Sequence, residues 1–200
     1  RDPLLIEFTR TLGLNFKKPG GGSLAITAAE LLGLFQRGFT TDTRRGRWAR
    51  IYCQFLNFGM LRNNAVKALR VEYTIGLDGS VEFLPGSQVR VSVHPQFGKP
   101  FVDILVDSDK NMNAMKAARE GGRHAVIPAD MSNLGCLPGD ELLEYLRQEH
   151  PPSGGPLFAY PNKRGRGFSD KPCTTFNTYL RAAYKAAFPA VSSDYLSQIG

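Results

Sequence analysis

The sequence predicts an α+β chain, mainly helical, with a small antiparallel β-sheet near its middle. Apolar residues recur at helical spacing up to about residue 70 and again after about residue 137. Between 71 and 128 the pattern changes to short runs of β-branched residues that alternate with polar ones. Two Gly- and Pro-rich breaks, KKPGGGS at 17–23 and PPSGGP at 151–156, bracket the main body.

Residues 1–23 are expected to be the end of a preceding helical domain and its linker, because Gly20 to Gly22 cost too much backbone entropy to lie inside a regular element. The main body is then 24–200. Thr27 and Glu30 have capping-box spacing, and Leu31, Leu34 and Phe35 supply an apolar face, so a helix is predicted over 27–37. From Thr43 to Phe58, Trp48, Ile51, Tyr52, Phe55 and Leu56 recur at helical spacing, while Arg44, Arg45, Arg47 and Arg50 occupy the early turns. This reads as an amphipathic helix with a basic start. A short helix over 62–70 carries Val66 and Leu69.

VEYTIG, SQVRVSV, FVDILVD and HAVIP read as strands, with a turn at Gly98 and a long polar excursion from Asp107 to Gly122. In LPGDELLEYLRQEH, Pro138 sits near a helix start, acids fill the first turn, and Leu142, Leu143 and Leu146 share a face. A last helix is predicted over 174–188, with Phe176, Leu180, Ala183, Tyr184 and Phe188 as its buried stripe.

Composition narrows the function. A 42% hydrophobic fraction over 200 residues suffices for one sizeable core. No apolar run approaches the roughly 20 residues of a membrane-spanning helix, so no membrane role is expected. The chain opens on Arg1 without the basic-then-apolar order of a signal peptide, as an interior piece of a longer protein would. Cys53, Cys136 and Cys173 are odd in number and scattered, which suits a reducing, intracellular setting and no zinc site. Nuclear, organellar and cytoplasmic locations stay open. The formal charge of +7 is uneven: residues 1–70 hold twelve Lys or Arg against four acids, 71–150 seven against twelve, and 151–200 six against two. Two separated basic segments would suit a groove for a phosphate backbone, and would equally suit ordinary solvated surface.

The stretch FLNFGMLRNNAVKALRVEYTI at 55–75 resembles the first catalytic box of the tyrosine recombinases, the phage-type integrases. There a Gly-containing turn delivers an arginine at a helix start, and the helix ends in Leu-Arg just before a sheet. Arg62 matches that arginine, and Leu69 and Arg70 match the Leu-Arg. The succession that follows is also similar: strands, a polar lysine-bearing turn, a strand ending in Ile-Pro, a Cys-Leu-Pro helix, a Leu-Phe segment and another helix. The resemblance spans about 24–200 and implies an incomplete tyrosine recombinase catalytic domain, with residues 1–23 as the exit from the family's separate core-binding domain.

It also implies DNA recombination or integration, as in a mobile genetic element, with neither metal nor nucleotide cofactor. A tyrosine attacks a phosphodiester, so the phosphate needs cationic donors and the leaving oxygen needs a proton. Arg62 would supply a charged planar fork for two phosphate oxygens. Lys110 in VDSDKNMN would be the proton donor, with Lys99 in FGKP as second choice, although Asp107 and Asp109 oppose the lowering of pKa that Lys110 would need. Further nucleic-acid contacts are expected from Arg44, Arg45, Arg47 and Arg50 and from Lys163, Arg164 and Arg166 in the KRGRG cluster, where DNA is the expected partner and RNA an alternative.

The departures are specific. Ala65 stands where the family often carries a Glu, three residues after the arginine. His94, His124 and His150 lack an Arg three residues later, and the HxxR box and nucleophilic tyrosine would fall beyond SDYLSQIG. The chain as given is therefore expected not to complete strand cleavage alone. Tyr195 is read as a packing tyrosine and His124 as structural or exposed. The rival expectation is a recombinase-like fold without chemistry, acting as a nucleic-acid-binding or structural subunit of a larger assembly. Action as a homo-oligomer on DNA is compatible with either.

Overall fold

The computed structural model of the protein describes residues 26–106, 122–161, 168–172 and 176–198, with backbone alone at 160, 161, 168–172 and 198. The leading segment 1–23, Lys110 with its neighbouring aspartates, the KRGRG cluster and Cys173 lie outside the described residues.

Helix α1 (Ala28–Gly33) begins at the capping box, with the Thr27 hydroxyl accepting from the Glu30 N–H at 3.2 Å and the Glu30 carboxylate accepting from the Thr27 N–H at 2.7 Å. It widens into a π turn over Leu34–Gly38, closed by the Phe39 N–H on the Leu34 carbonyl at 2.9 Å. Close approach accompanies this widening. A Cβ on Gly38 would stand 2.6 Å from the Ala183 carbonyl oxygen, so only glycine lets this turn meet α5 (Phe176–Ala187).

Helix α2 (Arg44–Asn57), capped by the Thr43 hydroxyl, departs from the amphipathic expectation: every residue from Trp48 to Phe55 is buried. It is the central element. Tyr52 packs its ring on Trp48, Phe158 and Phe176 with centroids 4.9, 4.9 and 4.3 Å away. Burying a helix on all sides requires its polar side chains to find partners inside. Arg50, only 7% exposed, donates from Nε to Glu141 at 2.7 Å, from Nη2 to the other Glu141 oxygen at 2.9 Å, and to the carbonyls of Phe35 and Gly135. Gln54, one turn later, donates to Glu141 at 2.6 Å.

Those partners come from α4 (Pro138–Glu149), which starts as the sequence predicts, with Pro138 in its first turn and Asp140 and Glu141 at its positive end. Its buried face is Leu142, Tyr145, Leu146 and Glu149; Tyr145 takes the place expected for Leu143, which is half-buried. The helix ends on His150 in the left-handed conformation, φ +48°. At its other end, a Cβ on Gly139 would lie 2.6 Å from the Ala129 side chain, which sets how closely α4 approaches the strand before it.

Between α2 and α4 lie α3 (Asn63–Ala68) and the strands. The antiparallel prediction holds, yet the described strands form several small sheets rather than one. β4 (Val89–Val93), β5 (Pro100–Val106) and β6 (Arg123–Pro128) pair in that order, with Val91 opposite Val102 and Ile104 opposite Ala125. β2 (Tyr73–Ile75) pairs with β3 (Val81–Phe83) across a turn where Gly79 has φ +79° and Asp78 accepts from the Ser80 N–H at 2.9 Å. β3 was not anticipated, although Asp78-Gly79 between two apolar runs is a hairpin signal. β1 (Arg70–Val71) pairs with β7 (Gly155–Pro156), and β8 (Ala159–Pro161) with β9 (Phe168–Pro172). These pairings bring the PPSGGP break back against the end of α3.

Helix α5 buries Phe176, Leu180, Ala183, Tyr184 and Ala187, and Phe188 is half-buried just beyond it. A short α6 (Ser193–Gln198) follows.

Removing one member of a buried ion pair strands the other charge, at a cost of about 3–5 kcal/mol. Glu141→Leu should therefore lower unfolding stability in urea by about that amount, and adding Arg50→Met in the same chain should recover much of the loss.

Candidate nucleic-acid interface

Arg62 owes its position to the corner between α2 and α3. Phe58 ends α2, and a Cβ on Gly59 would meet the Phe55 carbonyl oxygen at 2.7 Å. Met60 then reverses the chain in the left-handed region, φ +50°, and Leu61 turns into the core. Arg62 follows in an extended conformation as the residue preceding α3, exposed, with its carbonyl accepting from the Val66 N–H at 3.0 Å. The Tyr52 hydroxyl donates to the Asn63 side chain, so a core residue of α2 fixes the first turn of α3. Ala65 and Val66 anchor that turn inward. The loop-to-helix junction that the sequence predicts at Arg62 is therefore present as local geometry. Ala65 is buried, so a Glu at that position would place its carboxylate toward the core.

The other predicted residues separate into groups. Lys110, Lys163, Arg164 and Arg166 lie outside the described residues. Lys99 is exposed on the turn between β4 and β5, where the His94 N–H donates to its carbonyl at 2.9 Å. Its charge bears on Asp130, whose carboxyl is held below the usual range by the Ser132 N–H and hydroxyl and, to a smaller extent, by Lys99.

The basic start of α2 divides further. Arg50 faces the interior, which corrects the expectation of a surface cation there: its guanidinium is committed to Glu141 and two carbonyls. Arg44 and Arg47 both pair with Glu149, a carboxylate whose side chain is only 2% exposed, and Arg47 also donates to the Thr41 carbonyl at 2.6 Å. Arg45 remains exposed, its guanidinium 5.7 Å above the Tyr179 ring. Glu141 and Glu149 were missed from the sequence. They are about a hundred residues from their arginines, and no local spacing signals a pairing at that separation.

Tyr195 behaves as the packing tyrosine expected. Its hydroxyl donates to Glu30 at 2.6 Å, and that bond, more than burial, raises its pKa and keeps the phenol protonated. Tyr184 donates to the same carboxylate. Burial pushes Glu30 up, but the bonds from Tyr184, Tyr195 and Thr27 outweigh it and hold the carboxyl below its ordinary value. α1, α5 and α6 thus meet on one anion. His124 is exposed and hydrogen-bonded to Asp103 at 2.8 Å. Burial pushes the thiols of Cys53 and Cys136 up to about 12, which removes them as nucleophiles.

Among the described residues, no group of three His, Cys, Asp or Glu is placed to hold a metal ion, and no helix is long and apolar enough to cross a membrane. No protein-family model, characterised protein or solved structure matches this chain.

Two outcomes are expected. A carboxyl lowered by folding contributes stability above its unfolded value, near 4.5, and loses it as pH falls through the lower folded value. Glu30→Gln should therefore be less stable than the parent at neutral pH and lose less on acidification, as read by urea midpoints between pH 7 and about pH 3. In a Cys173→Ser background at pH 8, a thiol reagent should leave Cys53 and Cys136 unmodified until denaturant is added.

Proposed function

We propose that this chain is the DNA-binding part of a tyrosine-recombinase-like enzyme that cleaves and rejoins DNA in its complete form and not as this chain alone, with Arg62 as a phosphate-binding residue of the cleavage site. The observation that carries the reading is the α2–α3 corner. An exposed arginine is held at the start of a helix whose neighbouring residues, Leu61, Ala65 and Val66, are fixed in the core. Such mounting fixes the backbone from which a guanidinium would reach a phosphate, and a fixed starting point for a cationic donor is what stabilisation of a pentavalent phosphorus requires.

In the proposed reaction a tyrosine hydroxyl attacks the phosphorus. The new bond gives a 3′-phosphotyrosine, and the 5′ oxygen departs as a hydroxyl after taking up a proton. Lys110 is the first candidate for that proton and Lys99 the second. The nucleophile would be a tyrosine other than Tyr195, whose hydroxyl is engaged with Glu30. Arg45, exposed at the start of α2, is the member of that basic cluster best placed for backbone contacts.

A second reading is favoured by buried Ala65: without a carboxylate to buttress Arg62, the fold would serve as a nucleic-acid-binding or structural subunit and leave chemistry aside.

Arg62→Ala tests both. If Arg62 binds a phosphate, duplex affinity should fall about equally for all sequences and the salt slope of binding should diminish by about 1. On a nicked substrate that traps covalent intermediates, a longer form of the protein that includes the HxxR box and the nucleophilic tyrosine should form a phosphotyrosine adduct, and Arg62→Ala in that form should lose it by about 100-fold or more. Unchanged adduct formation in the variant would remove Arg62 from the site. Binding loss with no adduct from the longer form would favour the subunit reading.

A further inference from the structure

We infer that the outward face of the β4–β5–β6 sheet, with the β4–β5 turn at its end, is a stacking platform for single-stranded nucleic acid. Side chains alternate across a strand, and here one face is buried through Val89, Val102, Ile104, Ala125 and Ile127. The other face carries Arg90, Phe101, Asp103, His124 and Val126, with Arg90 opposite Asp103 and Asp103 opposite Val126. At the turn Phe97 is 70% exposed, and in the middle of the face, opposite Asp103, Val126 is 54% exposed. Large apolar groups displayed on one face of a sheet and on the turn beside it mark a contact surface.

The rings are arranged in sequence. His94 lies 4.6 Å from Phe97 at an interplanar angle of 32° and 6.2 Å from Phe101 at 60°. Its Nδ1 accepts from the Gln96 N–H at 3.2 Å, which fixes the imidazole beneath Phe97. Phe97 is therefore an outermost ring backed by two others. A face of this kind accepts a planar group, and an unpaired nucleobase offers one that a base stacked inside a duplex does not.

The charges select the same occupant. Lys99 is exposed at the turn end of the sheet, and Arg90 is held on the face by the Ser87 carbonyl at 3.0 Å. Asp103, the acid on this face, is already taken by His124, and Asp130 lies beside Lys99. An apolar protein partner would gain nothing from these cations, whereas a phosphate backbone would. The platform stands on the sheet face alone and does not depend on Arg62.

The test is anisotropy of a labelled 15-nucleotide oligo-dT titrated with the protein, beside a duplex of equal length. Phe97 is exposed on a turn, so its replacement leaves the core intact. Phe97→Ala should weaken oligo-dT binding by roughly tenfold or more and leave duplex binding nearly unchanged, while Phe97→Tyr should retain both. In Phe97→Trp, emission should be quenched by oligo-dT, and Arg62→Ala in that background should not abolish the quenching. Equal oligo-dT affinity for the parent and Phe97→Ala, or emission of Phe97→Trp unmoved by oligo-dT, would overturn the platform. So would a smaller sedimenting species in Phe97→Ala than in the parent, since the patch would then be a contact between copies of this chain.

Discussion

The contact between Arg50 and Glu141 is the constraint on which the rest of the structure depends. A helix buried along eight consecutive residues must account for every polar group it carries, and α2 carries an arginine and a glutamine into the interior. Glu141 accepts from the Arg50 guanidinium and the Gln54 amide N–H, leaving the Gln54 Oε1 and the Trp48 Nε1 buried without a hydrogen bond among the described residues. It also accepts from the Leu137 N–H at 3.0 Å, so the carboxylate that neutralises α2 also closes the first turn of α4. The remaining donors of Arg50 reach the carbonyls of Phe35 and Gly135, tying in the start of the π turn and the loop before α4. Three segments distant in sequence, α2, the π turn and the stretch from Gly135 into α4, are thereby joined through one guanidinium. The aromatic packing of Tyr52, Phe158 and Phe176 adds burial to an arrangement whose polar register is already determined.

Much of this fold was legible because its signals are local. The Thr27 capping box, Pro138 at the start of α4 and the stripe of α5 are each a matter of residues within two turns, and the helices follow them. Strand existence was legible for β4, β5 and β6, where alternation runs for five residues or more. It failed for β7, a two-residue strand of Gly155 and Pro156 with no propensity of its own, which exists because Arg70 and Val71 lie opposite. The amphipathic reading of α2 failed for a related reason. Arginine counts as a surface residue in any pattern, and only a carboxylate some ninety residues away makes it an interior one.

The same blindness governs the charge argument. Summed along the chain, the first seventy residues hold an excess of eight positive charges, and they invite a reading as a phosphate groove. In the fold, three of the arginines behind that excess are matched by Glu141 and Glu149 from the acidic middle segment. The backbone corner at Arg62 was more legible, because a glycine-containing turn followed by a short helix specifies where the chain turns whatever the total charge. The exposed ring of Phe97 had no comparable signature, since an aromatic near a turn is as often folded under as displayed.

The π turn at the end of α1 has a consequence for variation in length. A turn closed five residues back holds one residue more than the α-helix would between the same two ends. Deleting a residue between Leu34 and Gly38 would tighten it to ordinary α geometry while the flanking backbone keeps its direction. A homologue shorter by one position there could keep both the Thr27 cap and the glycine seam against α5, so a gap at this point in an alignment would mark the same architecture and not a different one.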